Sequence, residues 1–169
     1  MNRAEVPATY ELRTMLALAT EKGWRVGALD IRRAFLHADL EPEDGVIVVE
    51  PPKVLVRYGV VQEGVFWKLN KVLYGLRCGP RKWGEYRDRE LLQMVVHLGG
   101  EHGCKYVSKG LVQQCASTPN LWYVLEEKSY KVVACFMVYV DDVLVVGEMP
   151  WVIATLQAFE KMRRSGSAR

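Results

Sequence analysis

The sequence lacks the features that would send a chain out of the cell or into a membrane. Its start, Met1-Asn2-Arg3-Ala4-Glu5, has no apolar stretch to serve as a signal peptide. The longest apolar run, Val132 to Val146, is interrupted by the adjacent aspartates Asp141 and Asp142, which argues against a membrane span. Cys78, Cys104, Cys115 and Cys135 form no Cys-x-x-Cys pair and have no secretory context, so they read as reduced thiols of an intracellular protein. No repeat or low-complexity block is present. A formal charge of +3 is too small to name a partner by itself.

What is there suits one globular domain. The chain has 169 residues, half of them hydrophobic and a quarter charged, so a core can form. Basic residues punctuate the first half at Arg32, Arg33, Lys68, Lys71, Arg77, Arg81, Lys82, Arg87 and Arg89. Such a stripe can follow a phosphate backbone or can simply be a solvated face. Leu12, Met15, Leu16 and Ala19 recur at helical spacing over residues 9–22, with Gly23 as a stop. A short strand follows from Trp24 to Leu29, with Val26 and Ala28 on one face. Asp30 ends it, and a helical turn or two covers Arg32 to Ala38. Further strands are expected at Val46–Val49, stopped by Pro51-Pro52, and at Gly64–Leu69. A helix should begin near Pro80 and run towards Leu92, followed by a loop at Gly99-Gly100. Strand signals return at Leu121–Leu125, Lys131–Val140 and Val143–Val146, and a last helix spans Pro150–Met162. Elements mix without a βαβ rhythm, which predicts an α+β fold with an antiparallel sheet. Residues 1–162 form the domain in this reading, and 163–169 a disordered tail.

The densest chemistry lies in Tyr139-Val140-Asp141-Asp142, between two β-rich runs at hairpin spacing. Adjacent carboxylates beside a core repel each other and resist desolvation. Either the pair sits in a solvated turn, or a divalent cation offsets its charge; Mg²⁺ prefers such hard oxygen ligands and shares its shell with substrate phosphates. Asp30 ends another apolar strand and could meet the pair at one sheet rim. It could equally be a helix N-cap. Three carboxylates at one rim would suffice for two cations about 3.5–4 Å apart, the arrangement of two-metal polymerases and nucleases.

Three motifs then resemble a known family, the copia-type retrotransposon reverse transcriptases. Leu29-Asp30-Ile31-Arg32-Arg33-Ala34-Phe35-Leu36 resembles the first catalytic motif. Trp67 to Leu76 followed by Gly79-Pro80-Arg81-Lys82-Trp83 resembles the second, and Tyr139-Val140-Asp141-Asp142 the Tyr-x-Asp-Asp third. The resemblance covers roughly residues 10–160 and implies RNA-directed DNA polymerase activity on a polymerase palm-like sheet packed on helices, with partial fingers and no thumb. It implies that Asp30 and Asp141 hold two Mg²⁺ ions (or Mn²⁺) with help from the Ile31 carbonyl, while Asp142 lies nearer the primer. Backbone N–H groups of Arg33 and Ala34 would hold the triphosphate, and Phe35 would gate the sugar, though by composition alone it reads as core. Tyr74 and Gly75 would line the nucleotide pocket. Tyr139, Arg81 and Lys82 would meet the template–primer, and Trp83 reads as a packing residue. Partners implied are an RNA or DNA template with primer, deoxynucleoside triphosphates and no membrane. The thumb, ribonuclease H and integrase of a full polyprotein are also implied, in the cytoplasm (virus-like particle) or the nucleus.

Departures from the family's pattern are specific. Cys78-Gly79 stands where the family usually has Gln-Ala, and Thr118-Pro119 where it commonly has Asp-Pro. Gly99 to Cys104 has no counterpart in the pattern, and the upstream finger strands are missing. The rival from another class is a nucleic-acid-binding remnant without catalysis. A zinc site from His97, His102, Cys104 and Cys115 fits no common spacing, and a phospho-acceptor domain would need a parallel sheet.

Overall fold

The computed structural model describes residues 9–99 and 108–165. Its centre is a six-stranded antiparallel sheet in the order β1-β8-β7-β6-β5-β4. The strands are β1 (Arg25–Asp30), β4 (Val95–Leu98), β5 (Ser108–Cys115), β6 (Thr118–Glu126), β7 (Val132–Tyr139) and β8 (Asp142–Gly147). The expected α+β class with an antiparallel sheet is therefore found. Helix α1 (Thr9–Glu21) covers one face, where Met15 and Ala19 meet Cys135, Met137 and Val146. Helices α3 (Gly79–Leu92) and α4 (Met149–Ser165) cover the other, burying Trp83, Leu91, Trp151 and Phe159 against Trp122, Val124, Phe136 and Val145. Phe136 is wedged between Trp122, stacked at 6.3 Å, and Phe159, edge-on at 5.2 Å. Each such side chain contributes about 1.5–3 kcal/mol by leaving water.

Close packing holds β1, the strand that ends at Asp30. A Cβ at Gly27 would lie 2.8 Å from Val152 Cγ1 and 2.9 Å from Leu156 Cδ1, so the missing side chain lets α4 lie directly on the strand. The opposite face of β1, carrying Val26 and Ala28, stays exposed. On α1, likewise, only half of the expected apolar stripe is buried: Leu12 and Leu16 remain partly in solvent.

Several elements differ from the sequence reading. A second sheet pairs only β2 (Val48–Val49) with β3 (Trp67–Lys68), far shorter than Gly64–Leu69. Pro51 and Pro52 end the ladder on one side, since proline offers no N–H, and Gly64 breaks the other at φ +83°. The turn expected over Arg32–Ala38 is a 3₁₀ turn, Ala34–His37. Helix α2 (Lys53–Arg57) and strands β4 and β5 were not foreseen. The expected tail is helical as far as Ser165, while residues 166–169 lie outside the described residues. So do Gly100, His102 and Cys104. Cys78, Cys115 and Cys135 are free thiols.

Candidate active site

Strand register brings the aspartates to one rim. Asp30 is paired with Asp142 across β1 and β8, so their side chains leave the same face. Tyr139 pairs with Asp142 across the β7–β8 hairpin, leaving Val140 and Asp141 as a two-residue loop. Val140, at the first loop position, has φ +50°, a sign that two-residue hairpin loops commonly require there. A β-branched residue in the left-handed region costs about 1–3 kcal/mol and persists only where its surroundings hold it. Two hydrogen bonds do so. The Trp83 indole Nε1–H donates to the Val140 carbonyl at 2.7 Å, and the Ile31 N–H donates to the Asp141 carbonyl at 2.6 Å.

Among the described residues, none of the three carboxylates has an ion pair or a side-chain hydrogen bond. Their charge reaches Tyr74. Partial burial of its hydroxyl end, then Asp141, then Asp30 push the phenol above its ordinary value, while the Ala34 backbone N–H pulls it down. Asp30 and Asp142 also line an apolar cleft of about 620 Å³ with Leu12, Ala28, Met137 and Leu144. This donor set fits a hard divalent cation: carboxylate oxygens, uncancelled negative charge and an open side. No three acidic, His or Cys side chains among the described residues close into a ready cage, so the rest of any shell must come from elsewhere.

The residues expected around a nucleotide lie beside this rim. Phe35, 9 % exposed, meets the Tyr74 ring edge-on at 4.5 Å. Tyr74 itself is 56 % exposed, and Gly75 takes φ +94°, which only glycine adopts without strain. Gly79 leaves room for the Phe35 ring: a Cβ there would sit 3.3 Å from two of its carbons. Ile31 and Ala34 are buried, Arg33 is exposed at φ +59°, and Tyr139 is exposed on the cleft side. A four-residue 3₁₀ turn after Arg33 has little of the aligned dipole of a full helix start.

Arg81 and Lys82 sit differently from the expected template contacts. Lys82 is 5 % exposed, and its Nζ lies 2.9 Å from Glu41 Oε2 and 2.8 Å from Asp44 Oδ2. Arg81 bridges Asp44 at 3.1 Å and Glu85 at 2.9 Å. Hydrogen bonds from Lys82 are the main cause holding the Glu41 and Asp44 carboxyls below their ordinary values, and those carboxylates push the Lys82 ammonium up. The available signal was the acidic run Glu41-Pro42-Glu43-Asp44, whose charge complements Arg81-Lys82. Within the basic stripe of the first half, the exposed cations without an ion pair among the described residues are instead Arg32, Arg33, Lys68 and Arg77. The sequence reading also missed Trp83 as the donor to the turn and Gly79 as the space beneath Phe35.

Comparison with known proteins agrees with the motifs. Residues 4–165 match the family described as reverse transcriptase (RNA-dependent DNA polymerase). The chain is 32 % identical over 146 residues to the retrovirus-related Pol polyprotein from transposon TNT 1-94 of Nicotiana tabacum, covering 86 % of the chain and 9 % of that protein. It is 29 % identical over 139 residues to the corresponding polyprotein from transposon RE1 of Arabidopsis thaliana, covering 82 % and 8 %. The chain thus spans less than a tenth of the length of these curated relatives. No solved structure matches it.

Proposed function

Because the chain belongs to the reverse transcriptase family, of the copia type found in transposon Pol polyproteins, we propose that it is the palm of an RNA-directed DNA polymerase. In this reading its acidic rim supports nucleotidyl transfer onto a primer 3′-hydroxyl. The observation that carries the proposal is the register of Asp30 with Asp142, beside a turn presenting Asp141, with all three carboxylates lacking a cationic partner among the described residues. Carboxylates gathered at one rim repel each other, and a bound cation would offset that charge.

Asp30 and Asp141, with the Ile31 carbonyl, would hold the divalent cations, and substrate phosphates would complete the shell. When bound, Mg²⁺ or Mn²⁺ would lower the pKa of the attacking hydroxyl and offset charge on the triphosphate. The chain's own residues do the positioning. Asp142 and Tyr139 line the cleft, and the primer end would lie beside them. Tyr74 and Gly75 offer a floor to the incoming nucleotide, with Phe35 packed against Tyr74 to exclude a 2′-hydroxyl. Attack on the α-phosphate proceeds in line, with pyrophosphate leaving. Of the basic stripe, Arg32, Arg33, Lys68 and Arg77 are exposed and without an ion pair among the described residues, and so are open to phosphates.

These same cations favour a second reading, binding of nucleic acid without catalysis, which requires no cation at the rim. Primer extension on an RNA template with Mg²⁺ or Mn²⁺ separates the two. The assay should compare this chain with a longer one carrying fingers and thumb. Extension by the longer chain that is lost with Asp141→Asn supports the polymerase. Salt-sensitive binding with no extension by either chain supports the binder.

A further inference from the structure

We propose that Trp83 is a positioning residue: its indole N–H holds the Val140 carbonyl and thereby fixes the backbone from which the Asp141 carboxylate is aimed. The statement about what is aimed rests on the polymerase reading above; the hold on the turn does not.

The geometry is local and specific. Asp141 lies between two peptide planes. The carbonyl of the preceding plane belongs to Val140 and accepts the Trp83 indole at 2.7 Å. The carbonyl of the following plane is Asp141's own and accepts the Ile31 N–H at 2.6 Å. A peptide unit is rigid, so fixing the planes on both sides of a residue fixes its φ and ψ and hence its Cα–Cβ direction. Only side-chain rotation is left to the carboxylate. One hold comes from the residue after Asp30, the other from the helix that follows Tyr74 and Gly75.

The indole is suited to this work. Trp83 is 1 % exposed on α3, and its ring is stacked on Tyr86 at 5.8 Å and braced by His37 at 6.3 Å. It therefore gains no alternative partner from water, and it cannot swing away without opening the core. Val140 is the residue that needs holding, being β-branched at φ +50°. Trp122 makes the contrast: it is equally buried, yet its indole nitrogen has no hydrogen-bond partner among the described residues, and it serves packing alone.

Backbone hydrogen exchange on the 169-residue chain tests the hold. Trp83→Phe keeps an aromatic ring and removes the donor. Exchange at the Ile31 amide should then quicken by roughly tenfold, the loss of about one hydrogen bond's stabilisation. Mid-strand amides of β7 and β8 should change little. Leu91→Ala, a truncation in the same helix away from the turn, should quicken exchange evenly and without preference for Ile31. In the unmodified chain the Trp83 indole proton should exchange in step with the Ile31 amide, a measurement that survives even if the variant fails to fold. An indole proton that exchanges far faster than Ile31, or a folded Trp83→Phe with unchanged Ile31, overturns the proposal.

A Mn²⁺ titration followed by water proton relaxation then tests the aim. Trp83→Phe should weaken Mn²⁺ binding severalfold, and in an extension-competent chain it should lower kcat and raise the Mg²⁺ concentration needed for half-maximal rate, with the nucleotide KM little changed. Selective loss of Ile31 protection with unaltered Mn²⁺ affinity would overturn the aiming role. Should the unmodified chain bind no Mn²⁺ and the longer chain extend no primer, the polymerase reading fails, and Ile31 exchange still decides whether Trp83 holds the turn.

Discussion

At the β7–β8 rim three carboxylates stand without a cation, whereas Glu41 and Asp44 are clasped by Lys82 and Arg81. Both clusters are built around carboxylates, yet they solve desolvation differently. In the clasp, the Lys82 side chain is 5 % exposed and that of Asp44 is 3 %, which is tolerable only because each charge has partners at hydrogen-bonding distance. At the rim, Asp30 and Asp142 keep their exposure, and the turn bearing Asp141 is held through its backbone carbonyls. Charges that tie elements together are cancelled inside the protein. Charges left uncancelled are those available to a ligand.

The widest gap between the clusters should appear on removing one charge from each. Asp141→Asn should reduce primer extension by a completed polymerase to background, since an amide is a far poorer cation ligand than a carboxylate. In metal-free buffer the same change should leave the melting temperature of this chain unchanged or raised, because a repelling charge is gone. Added Mn²⁺ should stabilise the unmodified chain by RT ln(1 + [L]/Kd), about 2.7 kcal/mol at a hundredfold excess over Kd, and should fail to stabilise the variant. A variant that melts well below its parent without metal would place Asp141 with the clasped carboxylates instead.

In the clasp, substitution should have the opposite effect. Lys82→Met leaves Asp44 buried and without its main partner, and should lower the melting temperature by several degrees with no gain from any added cation. The pH dependence has a definite sign. Glu41 and Asp44 are held below their ordinary values, so their contribution is present above about pH 4 and is lost as pH falls through the lowered folded values. Lys82 is pushed up, so its contribution is present below the ordinary lysine value near pH 10.4 and is lost as pH rises through the folded one. Thermal melts of Lys82→Met between pH 3 and 6 should show a flatter slope than the parent. An equal slope would mean that the pairing contributes nothing to folding.

This contrast also explains what could be read from the chain beforehand. Asp30 and the Asp141-Asp142 pair were legible because each ends a strongly apolar strand, and an antiparallel register needs only local alternation to bring them together. Lys82 was misleading, since its partners lie about forty residues earlier and a charge pattern does not reveal long-range pairing. Strand β5 escaped for a different reason. Its buried face carries Ser108, Gly110 and Val112, with Gly110 under Val124 and Trp151, so only Val112 marks the core side with a hydrophobic residue. Strand β4 is only four residues long at the sheet edge. The Trp83 hydrogen bond joins positions 57 residues apart and leaves no trace in the local pattern.

Around the proposed nucleotide pocket the expected effects are smaller. Phe35→Val should let ribonucleotides compete, lowering the ratio of kcat/KM for deoxy- over ribonucleotides by on the order of tenfold to a hundredfold in an extension-competent chain. Its stability cost should stay below the about 3–5 kcal/mol of a complete Phe→Ala truncation. An unchanged ratio in a folded variant would make Phe35 a core residue only.

Gly79→Ala should have the smallest effect and acts through the same ring. The added Cβ would lie 3.3 Å from Phe35 Cδ1 and Cε1 and 3.4 Å from Val72 Cγ1, so the ring, which also meets Tyr74, must give by a few tenths of an ångström. Two terms oppose each other in stability. Alanine favours the helix by up to about 1 kcal/mol over glycine, and less at the first turn, while crowding against Phe35 costs a similar amount. The melting temperature should therefore barely change. The gate should tighten, and selectivity for deoxynucleotides should rise a few-fold when the kcat/KM ratio is compared with the parent. Because the effect travels through the ring, it should vanish when Gly79→Ala is combined with Phe35→Val. If the same few-fold change persists in the double variant, the alanine acts on the start of α3 itself, and the contact between Gly79 and Phe35 has no part in substrate choice.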